Sequence, residues 1–223
     1  MKIQKAELEY KVEDNLELSY GKKLRGFFAN KFKNVLFHNH KENDSFRYQY
    51  PLIQYKILNG NPFIIGINEG AILIVNNFLD IDQITLGDKV YDKPEGIISM
   101  SNNELKVEAE TYKYKFITPW RGLNDKNFKK YKKLKNNHKE QDDFLNNILI
   151  GNILSFAKGI DWWIEEEIKI KSDLEEIPIY YKGNKMSGFK GDIKINIKLP
   201  DYIGLGKSPS RGFGTIKRIN QMI

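Results

Sequence analysis

The chain has 223 residues, is 40% hydrophobic and 13% aromatic, carries a formal charge of +7 and has no cysteine. That length and apolar content predict a folded protein of one large or two small domains, and the missing cysteine excludes disulfides, a thiol nucleophile and thiolate metal sites. No apolar run reaches membrane-spanning length and the N-terminus lacks a signal-peptide layout, so a soluble, cytoplasmic protein is expected, with a charge that suits nucleic acid.

The basic residues are 31 lysines and 5 arginines. Scattered lysines make a solvated surface, so the arginines are the more selective signal. In chain order, residues 3–18 alternate, with Leu8, Tyr10 and Val12 on one face, which predicts a strand. The period then changes. Leu24, Phe27, Phe28, Phe32, Val35 and Leu36 recur at helical spacing, predicting an amphipathic helix over residues 21–36 with Arg25 and several lysines on its other faces.

Phe37-His-Asn-His40 falls at the C-terminal end of that helix. A helix C-terminus favours the imidazolium and imidazole titrates near neutral pH, so His38 or His40 can act as general acid or base. Arg47, Tyr48 and Tyr50 follow. A histidine, a phenol and a guanidinium suffice to cleave RNA without metal. One group takes the 2′-hydroxyl proton, another protonates the leaving 5′-oxygen, and a cation offsets the phosphorane charge. The same residues also fit helix caps and strand aromatics, and at this point both readings stay open. His38-x-His40-x3-Asp44, with Glu42 nearby, is a weak ligand set, so neither a metal nor a cofactor is expected.

Residues 50–58 predict a strand, Asn59-Gly-Asn-Pro62 a turn and residues 63–67 the returning strand. Residues 69–79 suit a helix and residues 81–86 a fourth strand. This order is that of a ferredoxin-like unit. The polar stretch around Pro94, Glu95 and Gly96 and from Ser101 to Asn103 predicts a boundary, giving domains at residues 1–100 and 105–223.

Alternation from Leu105 to Phe116 opens the second half as a strand. Thr118-Pro-Trp-Arg-Gly-Leu-Asn124 predicts a compact turn entering a lysine-dense helix with Phe128, Tyr131 and Leu134 on one face. His138-Lys-Glu-Gln-Asp-Asp143 reads as a solvated loop, residues 144–156 as an apolar helix and Trp162-Trp163 as core. Strands are expected over residues 177–181, 191–199 and 215–219. The fold class predicted is α+β, two tandem ferredoxin-like (RRM-like) domains.

Before the closing strand comes Gly204-Leu-Gly-Lys-Ser-Pro-Ser-Arg-Gly-Phe-Gly214. Glycines at G-x-G-x5-G-x-G allow positive φ and close approach of a ligand to the backbone, exposing N–H groups to an anion. Lys207 and Arg211 add cations suited to phosphate. The Lys-Ser/Thr ending of a nucleotide P-loop is missing and no long helix follows, so polymeric RNA or DNA fits better than a mononucleotide. The loop is expected to lie outside the packed core; a hairpin tip that binds nothing is the other reading.

Taken together the chain resembles the CRISPR-associated endoribonucleases that cut precursor CRISPR RNA within its repeats, the Cas-six group of the repeat-associated mysterious protein (RAMP) superfamily. The glycine loop carries the superfamily likeness. Leu24-Arg-Gly-Phe-Phe28, Tyr50-Pro-Leu-Ile-Gln-Tyr-Lys56, Ile64-Ile-Gly-Ile-Asn-Glu-Gly70 and Phe116-Ile-Thr-Pro-Trp120 resemble subgroup b. The resemblance implies tandem ferredoxin-like folds and metal-independent cleavage by the 2′-hydroxyl, leaving 5′-hydroxyl and 2′,3′-cyclic phosphate ends. It implies His40 as general base or acid, with His38 beside it, and Tyr48 as the second group. An alternative alignment puts Phe46 in the tyrosine's place. Gly204, Gly206, Lys207, Ser210, Arg211, Gly212 and Gly214 are then RNA contacts, with Arg25 and Arg47 as further ones. The implied partner is the precursor CRISPR RNA repeat, with a homodimer and a CRISPR effector complex as further associations and no membrane. A noncatalytic RNA-binding RAMP subunit is the alternative function.

Overall fold

The computed structural model describes residues 1–38, 50–181 and 183–219, with only the backbone of His38. The described residues form two compact units. One comprises Lys2–Asn103 together with Pro209–Gly212, the other Met1, Glu104–Ser208 and the residues from Phe213 onward.

The first unit runs β1 (Lys2–Lys11), α1 (Tyr20–Lys31), α2 (Val35–His38), β2 (Ile53–Leu58), β3 (Asn61–Ile67), α3 (Glu69–Asn77), β4 (Gln83–Leu86), β5 (Lys89–Asp92) and β6 (Glu95–Glu104). Its main sheet has the order β2-β3-β1-β6, the strand order of a ferredoxin-like fold. Alternation places Ala6, Leu8 and Tyr10 of β1 and Ile53, Tyr55 and Ile57 of β2 on the face that packs against Leu24 and Phe28 of α1 and Ala71 and Ile74 of α3.

Two elements depart from the sequence reading. Residues 81–86 do not supply the fourth strand. Residues 83–86 form β4, which pairs with β5 in a separate two-stranded hairpin, and Ile84 and Leu86 join the core cluster. The fourth strand is β6, which covers the stretch read as a boundary. An edge strand with no buried residue needs no apolar alternation, so its composition looks like linker. The first helix is also interrupted. Phe32 leaves α1 with φ −115° and ψ 122°, and the Asn34 side chain accepts the Leu36 N–H at 2.9 Å to begin α2. The apolar period survives the break because both segments bury the same face. Phe37 stacks on Phe32 with ring centroids 4.9 Å apart, and Phe28 sits 5.5 Å from Tyr55.

The second unit runs β7 (Lys106–Trp120), α4 (Asp125–Lys133), α5 (His138–Gly159), β8 (Ile170–Tyr181), β9 (Asn184–Lys198) and β10 (Ile216–Arg218). Its sheet order, β10-β7-β9-β8, is again ferredoxin-like, and β10 with β7, β7 with β9 and β9 with β8 pair antiparallel. Strand β7 continues through Trp120, where a turn was expected, because Tyr114, Phe116, Thr118 and Trp120 keep the alternation of buried residues. The expected loop at residues 138–143 is the first part of α5. Asn137 caps it, its side chain accepting the Glu140 N–H at 3.2 Å. Leu145, Leu149, Ile153 and Phe156 form the buried stripe of that helix. Among the described residues no α-helix lies between β9 and β10. The glycine-rich segment, residues 199–215, occupies the place of the second helix of a ferredoxin-like unit. Among the described residues no helix is long and apolar enough to cross a membrane.

The Tyr10 hydroxyl is buried in the first unit's core with no hydrogen-bond partner among the described residues, and burial pushes its pKa up. An unsatisfied buried hydroxyl costs about 1–3 kcal/mol. Tyr10→Phe is therefore expected to raise the thermal midpoint by roughly 2–4 °C per kcal/mol recovered, measured by a calorimetric melt; a lower midpoint would mean that the hydroxyl is bonded.

Candidate nucleic-acid interface

The glycine segment is folded back on the end of β7. Gly204 bridges Thr215 and Gly206 bridges Arg121. The Leu205 N–H donates to the Gly214 carbonyl at 2.9 Å, the Lys207 N–H to the Arg121 carbonyl at 2.8 Å, and the Gly214 N–H to the Pro119 carbonyl at 2.8 Å. The Thr215 N–H reaches Thr118 Oγ1 at 2.9 Å. These amides were expected to face an anion; they are instead committed to the protein.

The glycines answer to packing. Gly206, Gly212 and Gly214 have φ of 88°, 88° and 65°, values that L side chains rarely adopt. A Cβ on Gly206 would lie 2.6 Å from Trp120 Nε1, and one on Gly214 would run into the Leu205 carbonyl oxygen. Gly204, Gly212 and Gly214 are buried. The expectation of a loop outside the packed core is overturned: backbone amides deprived of water need internal acceptors, and β7 supplies them.

Side chains divide differently. Lys207 is exposed and Arg211 half-buried, whereas Ser210 is 8% exposed in a short 3-10 turn, Pro209–Arg211. Pro209–Gly212 belongs to the first unit. There the Arg211 carbonyl lies 3.0 Å from where a Cβ on Gly21 of α1 would be, and Gly212 lies against Tyr55 and Lys56 of β2. Arg25 sits half-buried on α1 and its charge acts on the Tyr55 phenol, whose pKa burial nonetheless pushes up. His38 ends α2. Its side chain, together with His40, Arg47 and Tyr48 and the alternatives Asp44 and Phe46, lies outside the described residues.

Two groups escaped the sequence reading. Arg121, read only as part of a turn, is 7% exposed. Its Nη1 donates to Ser208 Oγ at 2.9 Å, and its guanidinium carbon lies 3.8 Å from the Tyr181 ring centroid and 5.2 Å from that of Phe213. Ser208 Oγ in turn lies 3.2 Å from the Tyr181 hydroxyl. A guanidinium stacked on two rings and bonded to the loop holds the segment to β7. The indole of the preceding Trp120 donates to Asn152 Oδ1 at 3.0 Å. The flat arginine in Trp120-Arg-Gly122 was the available signal, hidden by the turn residues around it.

The second group is a polar row on β2. Lys56, with no exposed surface, donates through Nζ to Gln54 Oε1 at 2.9 Å, and Gln54 Nε2 donates to the Tyr50 hydroxyl at 2.7 Å. Burial lowers the Lys56 pKa to about 7. Three residues of the Tyr50-to-Lys56 motif thus form one hydrogen-bonded line.

Comparison with known proteins places the chain beside one family. The family model for the Cas6b N-terminal domain matches residues 1–104, and that for the Cas6b C-terminal domain matches residues 106–219. A solved structure described as Cas6b is 35% identical, with a TM-score of 0.91, and the alignment covers 98% of this chain and 100% of that one. A second, described as the CRISPR RNA processing endoribonuclease Cas6b, is 33% identical with a TM-score of 0.77 over 98% and 100% of the two chains. An uncharacterized protein of Methanocaldococcus jannaschii is 38% identical over 144 residues, which is 64% of this chain and 97% of that protein.

Two outcomes follow. Gly214→Ala forces a strained backbone costing about 1–2 kcal/mol, so the thermal midpoint should fall by roughly 2–8 °C, whereas exposed Lys207→Ala should stay within about 2 °C; equal melts would place the glycine outside the core. For Lys56, the folded pKa of about 7 lies below its ordinary 10.5. Below pH 7 both states are protonated and the desolvation penalty is complete. Between those values the unfolded chain binds more protons, so stability rises with pH. Denaturant titrations at several pH values should show wild type gaining on Lys56→Met across this window; a constant gap would refute the lowered pKa.

Proposed function

The chain belongs to the Cas6b family, and from that premise we propose the chemistry by which it processes CRISPR RNA. It is a Cas6b-type endoribonuclease, and the observation that carries this is the match of both domain models along nearly the whole chain together with the TM-score of 0.91 to a Cas6b structure. The substrate is precursor CRISPR RNA, cut within its repeats.

In the proposed reaction the 2′-hydroxyl beside the scissile bond attacks the adjacent phosphorus while the 5′-oxygen of the next nucleotide leaves. His40 and Tyr48 divide the two proton transfers, one accepting the 2′-hydroxyl proton and the other protonating the leaving oxygen, with His38 in support. The products are a 2′,3′-cyclic phosphate and a 5′-hydroxyl. The nucleophile belongs to the RNA, so no metal-bound water is required. Lys207 and Arg211 contribute side-chain charge to the phosphates, with Arg25 and Arg47 as further contacts. The glycines and Ser210 support them by holding the loop rather than by offering amides, and Arg121 anchors that arrangement. Homodimerisation and docking to a CRISPR effector complex remain part of the proposal.

The test is cleavage of a repeat RNA in EDTA. Cutting should persist, and a single 2′-deoxy substitution at the cut site should abolish it while leaving binding nearly intact. His40→Ala should slow single-turnover cleavage by about 10²–10⁴-fold, with His38→Ala and Tyr48→Phe smaller in effect. A strict Mg²⁺ requirement, or cutting of the deoxy substrate, would overturn the mechanism; tight binding with no cutting by the wild type would favour a noncatalytic RNA-binding subunit.

A further inference from the structure

Helix α5 ends in a feature that RNA cleavage does not use. Asp161 takes a left-handed backbone with φ 58°, and the Trp162 N–H turns back to the Ala157 carbonyl at 2.8 Å. This turn lays Trp162, Trp163 and Ile164 beside Leu154 and Ala157 of the helix, and a pocket of about 650 Å³ opens between them. Expected in the core, Trp163 is 84% exposed, and Leu154 is 43% exposed. An indole left in water beside an apolar pocket is typical of the anchor positions of protein interfaces.

The charges around this pocket select its occupant. Asp161 lines it, and the exposed Glu165, Glu166 and Glu167 follow directly on Ile164, with Lys169 Nζ 3.6 Å from Glu167 Oε2. The last carbonyls of α5 add partial negative charge. Lys158 is the lone cation among the lining residues. Phosphates would be repelled from this rim although the whole chain carries +7. A symmetric pairing of the patch with itself would set like charges face to face.

We propose that this pocket docks a basic segment of a partner protein, one that presents a lysine or arginine beside a bulky apolar side chain. The apolar side chain fills the space between Leu154 and Trp162. The cation lies on the Trp163 ring, flanked by the carboxylates of Asp161, Glu165 and Glu166. The site is independent of the catalytic reading, since it uses none of the residues assigned to RNA.

The experiment titrates the full chain with synthetic amphipathic peptides made only of leucine and lysine, their leucine and glutamate counterparts, and a 12-nucleotide oligouridine, following tryptophan emission. The leucine–lysine peptide should bind, more weakly as salt is raised, and Trp163→Ala should weaken it about tenfold or more. Glu165→Gln/Glu166→Gln changes charge with little change in shape. It should weaken the same peptide and flatten the salt dependence, which keeps the test valid if the tryptophan variant misfolds. Repeat-RNA cleavage by both variants should match wild type. Equal binding of the acidic peptide, unchanged affinity in both variants, or loss of oligouridine binding in Trp163→Ala would each overturn the proposal, the last by giving the pocket to RNA.

Discussion

The second unit depends on one buried cation. A guanidinium taken almost wholly out of water is tolerated only where its charge and its donors are met. Arg121 meets that condition with two aromatic faces and the hydroxyl of Ser208. Its own carbonyl holds the Lys207 amide. One residue at the end of β7 thereby ties strand, aromatic pair and glycine segment together, and the order of the loop follows from it. The exposed Lys207 is carried on a frame in which the Leu205, Lys207, Gly212 and Gly214 amides are bonded within the protein. A basic side chain on a fixed backbone offers a phosphate a defined partner at a smaller cost in lost motion than one on a free loop.

Much of this was legible in the residues, and the failures share a cause. The glycine spacing announced an unusual backbone, and the structure bears that out with three left-handed glycines. Spacing alone cannot say whether such a backbone meets a ligand or another strand, because both need room where a Cβ would be. Strand β6 was missed because an edge strand with little to bury carries no alternation. Arg121 was missed because its ring partners, Tyr181 and Phe213, are distant in sequence. Trp163 was assigned to the core because hydrophobicity reports what can be buried, and exposure of an indole is settled by the turn at Asp161. The candidate histidines and Tyr48 rest on the resemblance and on local chemistry.

The polar row on β2 shows a related limit. Gln54 and Lys56 alternate with Tyr55 and Ile57 as in any half-exposed strand, which suggests a wet outer face. Both are fully buried. A lysine so placed destabilises the fold in its charged form and is retained here with one hydrogen-bond partner on the same strand. Alternation marks the two faces of a strand without telling which of them meets water.

The membership of Pro209–Gly212 in the first unit bears on how the chain is made. Synthesis proceeds from the N-terminus at about 5–20 residues per second. The ribosome releases β1 through β6 long before the four residues that lie on α1 and β2. For all that time the first unit has an unfinished edge, and the piece that finishes it arrives only after every helix and sheet-spanning strand of the second unit except β10 has been made. A nascent chain interrupted anywhere before residue 209 leaves both units open at once. Pro209–Gly212 is thus a late addition to the first unit.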